Sequence, residues 1–116
     1  MILCVIDDLI FSIKISTAAR RLGADVVFER DADRVIGRIR DTRPSLVVLD
    51  LNSATLRPLA AIETLKRDPE LQSIRTLGYV SHVDSDTIAA ARAAGVDQVL
   101  ARSAFAERLG EILTTS

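Results

Sequence analysis

Five times along the chain a short, unbroken apolar run gives way to a longer stretch with helical spacing. The runs are Ile2-Leu3-Cys4-Val5-Ile6, Val26-Val27-Phe28, Leu46-Val47-Val48-Leu49, Thr76-Leu77-Gly78-Tyr79-Val80 and Val99-Leu100. A strand covered on one face alternates apolar with polar residues, whereas an unbroken run demands cover on both. Strands that take turns with helices demand parallel crossovers. The pattern predicts an α/β fold: a three-layer α/β/α sandwich around a five-stranded parallel sheet.

The intervening stretches read as the covering helices. Phe11, Ile15, Ala18, Ala19 and Leu22 share one helical face, and Gly23 supplies the stop. A second helix is expected over about 31–42, carrying Val35, Ile36 and Ile39. Pro58 suits the first turn of a third, with Leu59, Ile62 and Leu65 facing inward. An alanine-rich fourth covers 84–94 and stops at Gly95; a final helix presents Phe105, Leu109, Ile112 and Leu113.

At 116 residues the chain reads as one domain, 1–116, able to bury a core without disulfides. Cys4, its lone cysteine, sits in an apolar run and reads as a small core hydrophobe in a reducing, cytoplasmic setting. The first apolar run ends at Asp7, too early for a signal peptide, and nothing approaches membrane-spanning length. Fifteen basic against sixteen acidic residues leave a formal charge of −1, so no field draws nucleic acid or an anionic membrane to it.

In open parallel sheets ligands bind beyond the carboxyl ends of the strands. The first strand is read as ending in Asp7-Asp8, the third in Asp50, the fourth in Ser81 and the fifth in Arg102. Crowded carboxylates favour a hard divalent cation, and one of them can serve as a nucleophile toward phosphorus. A hydroxyl and a guanidinium opposite can hydrogen-bond phosphoryl oxygens. Taken singly, Asp8 reads as a helix N-cap and Asp50 as a solvated loop residue. The coincidence of all of them at strand ends favours a site.

With these residues in place the chain resembles the receiver domains of bacterial response regulators, over its whole length. The matching motifs are Val5-Ile6-Asp7-Asp8, Leu46-Val47-Val48-Leu49-Asp50-Leu51-Asn52, Tyr79-Val80-Ser81 and Ala94-Gly95-Val96-Asp97. The resemblance implies a flavodoxin-like strand order, 2-1-3-4-5, and phosphorylation of Asp50. It implies Mg2+ held by Asp8, Asp50 and the Asn52 carbonyl, with Asp7 acting through a water, and Ser81 rotating to meet the phosphoryl group. The implied donor is a sensor histidine kinase or phosphotransfer protein, with a downstream protein as the reader and a monomer or weak dimer as the acting form.

The chain also departs from that pattern. Arg102 stands where the family has lysine, and Ser103 where proline follows. Val99 occupies the aromatic switch position, Ser53-Ala54-Thr55-Leu56-Arg57-Pro58 replaces the usual loop after the acceptor, and His82 follows Ser81 where a small residue is usual. His82 reads as a loop residue partly shielding the site. Leu9, Ile10 and Ile13 exceed what one inward stripe of the first helix can bury, so they read as a docking face beside the site or as cover for a loop. Two other classes compete with the phosphorylated receiver: a pseudo-receiver acting only as an interaction module, and a small magnesium-dependent phosphatase. The second lacks a glycine-rich phosphate loop and room for a substrate pocket.

Overall fold

The computed structural model describes residues 1–81 and 84–115. Its strands are β1 (Ile2–Val5), β2 (Val26–Phe28), β3 (Leu46–Asp50), β4 (Arg75–Val80) and β5 (Gln98–Ala101). They form one sheet of order β2-β1-β3-β4-β5 in which every neighbouring pair is parallel. The helices are α1 (Leu9–Leu22), α2 (Val35–Thr42), α3 (Pro58–Arg67), α4 (Ser85–Ala94), α5 (Arg102–Glu107) and α6 (Leu109–Thr115).

Because side chains alternate across a strand, the unbroken apolar runs feed two cores. Ile2, Cys4, Leu46, Val48, Leu77 and Tyr79 point to one face and meet Phe11 and Ile15 of α1, Phe105 of α5, and Leu109, Ile112 and Leu113 of α6. Leu3, Val5, Val47, Leu49 and Val80 point to the other and meet Val35 and Ile39 of α2, Ile62 and Leu65 of α3, and Ala91 of α4. The double cover required by the sequence pattern is thus present.

The differences from the expected elements lie at ends. The 31–42 helix begins as a separate 3-10 turn, Ala32–Arg34, because the Asp31 side chain accepts from the Asp33 N–H and tightens that turn. The last helix is two, interrupted at Arg108, yet Phe105 and Leu109 on either side both stay buried. Leu22, expected in the core stripe, is exposed at the end of α1, and its side chain lies beside Gly110 of α6. Arg102 does not end β5; it is the first residue of α5.

Candidate functional site

Register places the acidic residues together. Val5 pairs with Leu49 and Asp50 with Tyr79, so the segment leaving β1 runs beside the end of β3, with β4 on its other side. Leu51, just beyond Asp50, donates its N–H to the Tyr79 carbonyl at 3.0 Å and packs over Gly78. A Cβ at Gly78 would stand 2.6 Å from the Leu51 side chain, so glycine is what lets the loop after β3 settle onto β4.

Asp50 closes β3 and is 8% exposed. Parity turns it toward the same sheet face as Leu46 and Val48, beneath α1 and α5. Its Oδ1 accepts the Asn52 backbone N–H at 3.0 Å, while Oδ2 makes no hydrogen bond among the described residues. Burial raises its pKa above the ordinary carboxylate value; the Asn52 N–H opposes the rise, Asp7 adds to it, Arg102 opposes it and Asp8 adds to it. A desolvated carboxylate with one uncommitted oxygen has the makings of a nucleophile.

Asp8 has two occupations. Its Oδ1 accepts the Phe11 N–H at 3.1 Å, the N-cap of α1, a bond worth about 1 kcal/mol. Its Oδ2 accepts from Arg102 Nη2 at 2.6 Å. The Arg102 guanidinium in turn lies over the Phe11 ring, 4.5 Å from the centroid. Both charged side chains are about one-third exposed, 36% for Arg102 and 33% for Asp8. The ion pair is therefore worth ~1 kcal/mol or less, and the cation–π contact about 0.5–1 kcal/mol.

Asp7 is exposed and gripped by the loop after β3: its Oδ2 accepts from Thr55 Oγ1 at 2.6 Å and from Ser53 Oγ at 3.1 Å. Asn52 reaches the other way, its Oδ1 accepting the Ser81 N–H at 2.6 Å. The Ser81 hydroxyl is exposed and makes no hydrogen bond among the described residues, which leaves it available to a ligand. His82 lies outside the described residues. Val99 is half-buried and packs in the core on the α2–α3–α4 face, away from the face that Asp50 takes. Aromatic rings gather on the Asp50 face instead: Tyr79 stacks on Phe105 at 5.3 Å and tilts against Phe11 at 5.1 Å. The Tyr79 hydroxyl is buried without a hydrogen-bond partner among the described residues.

Asp7, Asp8, Asp50, Asn52, Ser81 and Arg102 thus meet at one sheet edge. Three participants escaped the sequence reading: Ser53 and Thr55, visible there only as a departure in the loop, and Phe11, counted as core. A hydroxyl pair two residues apart in a loop facing an acidic edge was the signal for the first two.

The donor chemistry fits a hard divalent cation, for Asp7, Asp8, Asp50 and the Asn52 carbonyl offer only oxygen. Both oxygens of Asp8 are committed to protein partners, and so is one oxygen each of Asp7 and Asp50. Among the described residues no three His, Cys, Asp or Glu side chains are gathered as an ion would gather them. The Asp8 oxygen not used in the helix cap is the one that Arg102 holds.

No protein-family model matches the sequence, and no curated protein does. Solved structures do. A response regulator from Hahella chejuensis superposes with a TM-score of 0.87 over 97% of this chain and 91% of its own, at 17% identity. The phosphorylated cyanobacterial phytochrome response regulator RcpA gives 0.80 over 98% and 88%, at 24% identity. The Mn2+-bound response regulator Rcp1 gives 0.83 over 99% and 95%, at 20% identity. At such identities the likeness is one of fold: the chain has the fold of response-regulator receivers.

Proposed function

We propose that this domain receives a phosphoryl group on Asp50 from a phosphohistidine of a sensor kinase or phosphotransfer protein, and signals by protein contact. The observation that carries the reading is Asp50 itself, buried at a strand end with one oxygen uncommitted and with Asp7, Asp8 and Arg102 around it. In the transfer, the free Asp50 oxygen attacks phosphorus and the phosphorus–nitrogen bond breaks. The departing imidazole keeps the electron pair and takes up a proton, leaving an acyl phosphate. The Ser81 hydroxyl donates to one phosphoryl oxygen, and Arg102 offers the countercharge. When bound, Mg2+ would be held by Asp8, Asp50 and the Asn52 carbonyl, with Asp7 through a water, and would offset charge on the transferred group.

The donor has a surface to use. A groove of about 510 Å³ opens between α1 and α5, lined by Ile10, Phe11, Lys14, Ser81, Arg102 and Ser103. Beside it Leu9, Ile10 and Ile13 are 62%, 79% and 57% exposed. Such an apolar face next to the acceptor suits the helix of a histidine-bearing partner. The domain is a signalling component, and no helix among the described residues is long and apolar enough to cross a membrane.

Incubation with acetyl phosphate and Mg2+, followed by intact mass measurement, tests the reading. Wild type is expected to gain one phosphoryl mass and Asp50→Asn none. A wild type that gains no mass, with beryllofluoride equally without effect on its spectra, would leave the interaction module that works without phosphate. The commitment of Asp8 to Arg102 is the observation that favours that second reading.

A further inference from the structure

We propose that the chain carries a second ligand site, for a small organic carboxylate with a short apolar body, at the end of the sheet opposite Asp50. The site is a cavity of about 320 Å³ between α6 and the first residues of β3, β4 and β5. It shares no residue with the acceptor edge, and it stands whether or not Asp50 accepts phosphate.

Strand parity builds the floor of this cavity. Leu46 pairs with Arg75 and Leu77 with Gln98, and residues two apart on a strand share a face. Arg75 and Gln98 therefore stand on the face where Leu46, Leu77 and Ile112 are core. Arg108 and, from α6, Glu111 and Thr115 make the wall, spaced by three and four so that they share one helical face. Arg108 opens that turn, its carbonyl accepting the Ile112 N–H at 2.9 Å. An apolar base under a polar rim is the usual make-up of small-ligand sites, and a volume of about 320 Å³ falls at the lower end of their range.

The rim holds donors that the chain itself does not use. The Arg75 guanidinium and the Gln98 amide make no hydrogen bond or ion pair among the described residues. Arg108 has only Glu111, at 3.7 Å, with side chains 44% and 63% exposed, and such a pair is weak. Asp97 also reaches the cavity, but its Oδ2 already accepts from the Thr76 N–H at 2.8 Å and the Thr76 hydroxyl at 3.0 Å, and Lys66 Nζ lies 3.4 Å away. With Asp97 answered by Lys66, two guanidinium groups face one loosely held carboxylate, a surplus of one positive charge. A guanidinium offers parallel N–H donors that match the two oxygens of a carboxylate. The buried Leu46, Leu77 and Ile112 beside it suit a body of a few carbons rather than a hydrated inorganic ion.

The test is a titration of the intact chain with sodium hexanoate, followed through the backbone amide resonances and the Nε–Hε resonances of Arg75 and Arg108. Acetate keeps the carboxylate without the body, hexanol keeps the body without the carboxylate, and inorganic phosphate is an anion with neither. Hexanoate is expected to shift the amides of Leu77, Gln98 and Ile112 together with both arginine resonances, with half-saturation at about 1 mM. Acetate, hexanol and phosphate are each expected to bind more weakly by about tenfold. Arg75→Ala is expected to lower hexanoate affinity by about tenfold, and Arg75→Lys, which keeps the charge but not the fork, to fall between. Arg92→Ala removes a charge of α4 outside the cavity and is expected to change affinity by about twofold or less.

Hexanoate shifts that are missing from these residues, or spread evenly over the exposed surface, would overturn the site. Phosphate binding as tightly as hexanoate would overturn the ligand class and leave a general attraction of anions to arginine. Equal losses from Arg75→Ala and Arg92→Ala would have the same force, and hexanol binding as tightly as hexanoate would remove the guanidinium groups from recognition. Phosphate acceptance at Asp50 is read separately, from the mass gained with acetyl phosphate, so failure there and failure here are distinct results.

Discussion

Asp50 is costly to keep ionised where it stands. Burial raises its pKa in the folded chain, so the charged form is disfavoured by folding. For a carboxylate with a raised folded pKa, the stabilising contribution is present below the unfolded pKa and is lost as pH rises through the folded one. Asp50→Asn is therefore expected to melt at a higher temperature than wild type at neutral pH, and at the same temperature once the medium is acidic enough to protonate both states. Thermal melts across that range check it. The substitution that abolishes phosphate acceptance should thus strengthen the fold. Asp97 illustrates the opposite sign. Burial works to raise its pKa, but the Thr76 N–H at 2.8 Å, the Thr76 hydroxyl at 3.0 Å and Lys66 outweigh it and hold the carboxyl low. Its contribution is present above the unfolded pKa and fades as pH falls through the folded one. Asp97→Ala is expected to cost about 1–2 kcal/mol in denaturant melts at neutral pH, and progressively less in acid.

At the scale of elements, α1 has one buried face and one unpartnered one. Phe11, Ile15 and Ala19 are core, whereas Leu9, Ile10 and Ile13 are open to solvent. Ile10→Glu with Ile13→Glu is expected to leave the unfolding midpoint within about 0.5 kcal/mol of wild type. It is expected to suppress phosphoryl transfer from a histidine-bearing protein while leaving loading from acetyl phosphate intact; loss of both would place the defect in the acceptor site. The β3–β4 contact makes the contrary case. Gly78→Ala forces a methyl against Leu51 and is expected to cost about 1–3 kcal/mol, while disturbing the loop that presents Asn52 to Ser81. The apolar alternation of the chain announced both elements. It did not reveal that a glycine in the middle of β4 seats the loop of β3, because that is a contact between strands.

Across the whole molecule, two closed cores leave Cys4 with no exposure, and burial pushes its thiol up to about 12. Native Cys4 is expected to resist thiol reagents, with labelling appearing only as fast as the chain opens globally. Labelling under increasing denaturant, compared with the unfolding curve, checks this. Rapid labelling in the native state would mean that the α1–α6 layer detaches locally.

The three-layer architecture, its five parallel strands and the gathering of Asp7, Asp8, Asp50, Ser81 and Arg102 at one edge were all legible in the residues. Strand and helix periodicities are local, and in a parallel sheet every strand end lands on the same side whatever the detailed packing. The local part of what the carboxylates do there, the Asp8 cap on α1, was read from the sequence; the rest was not. That the other Asp8 oxygen goes to Arg102, that Phe11 backs the guanidinium, and that Ser53 and Thr55 hold Asp7 all depend on side chains 46 to 94 residues apart coming together. Such meetings belong to the crossovers and their packing, which place groups to within an ångström; a sequence pattern places them only to within an element.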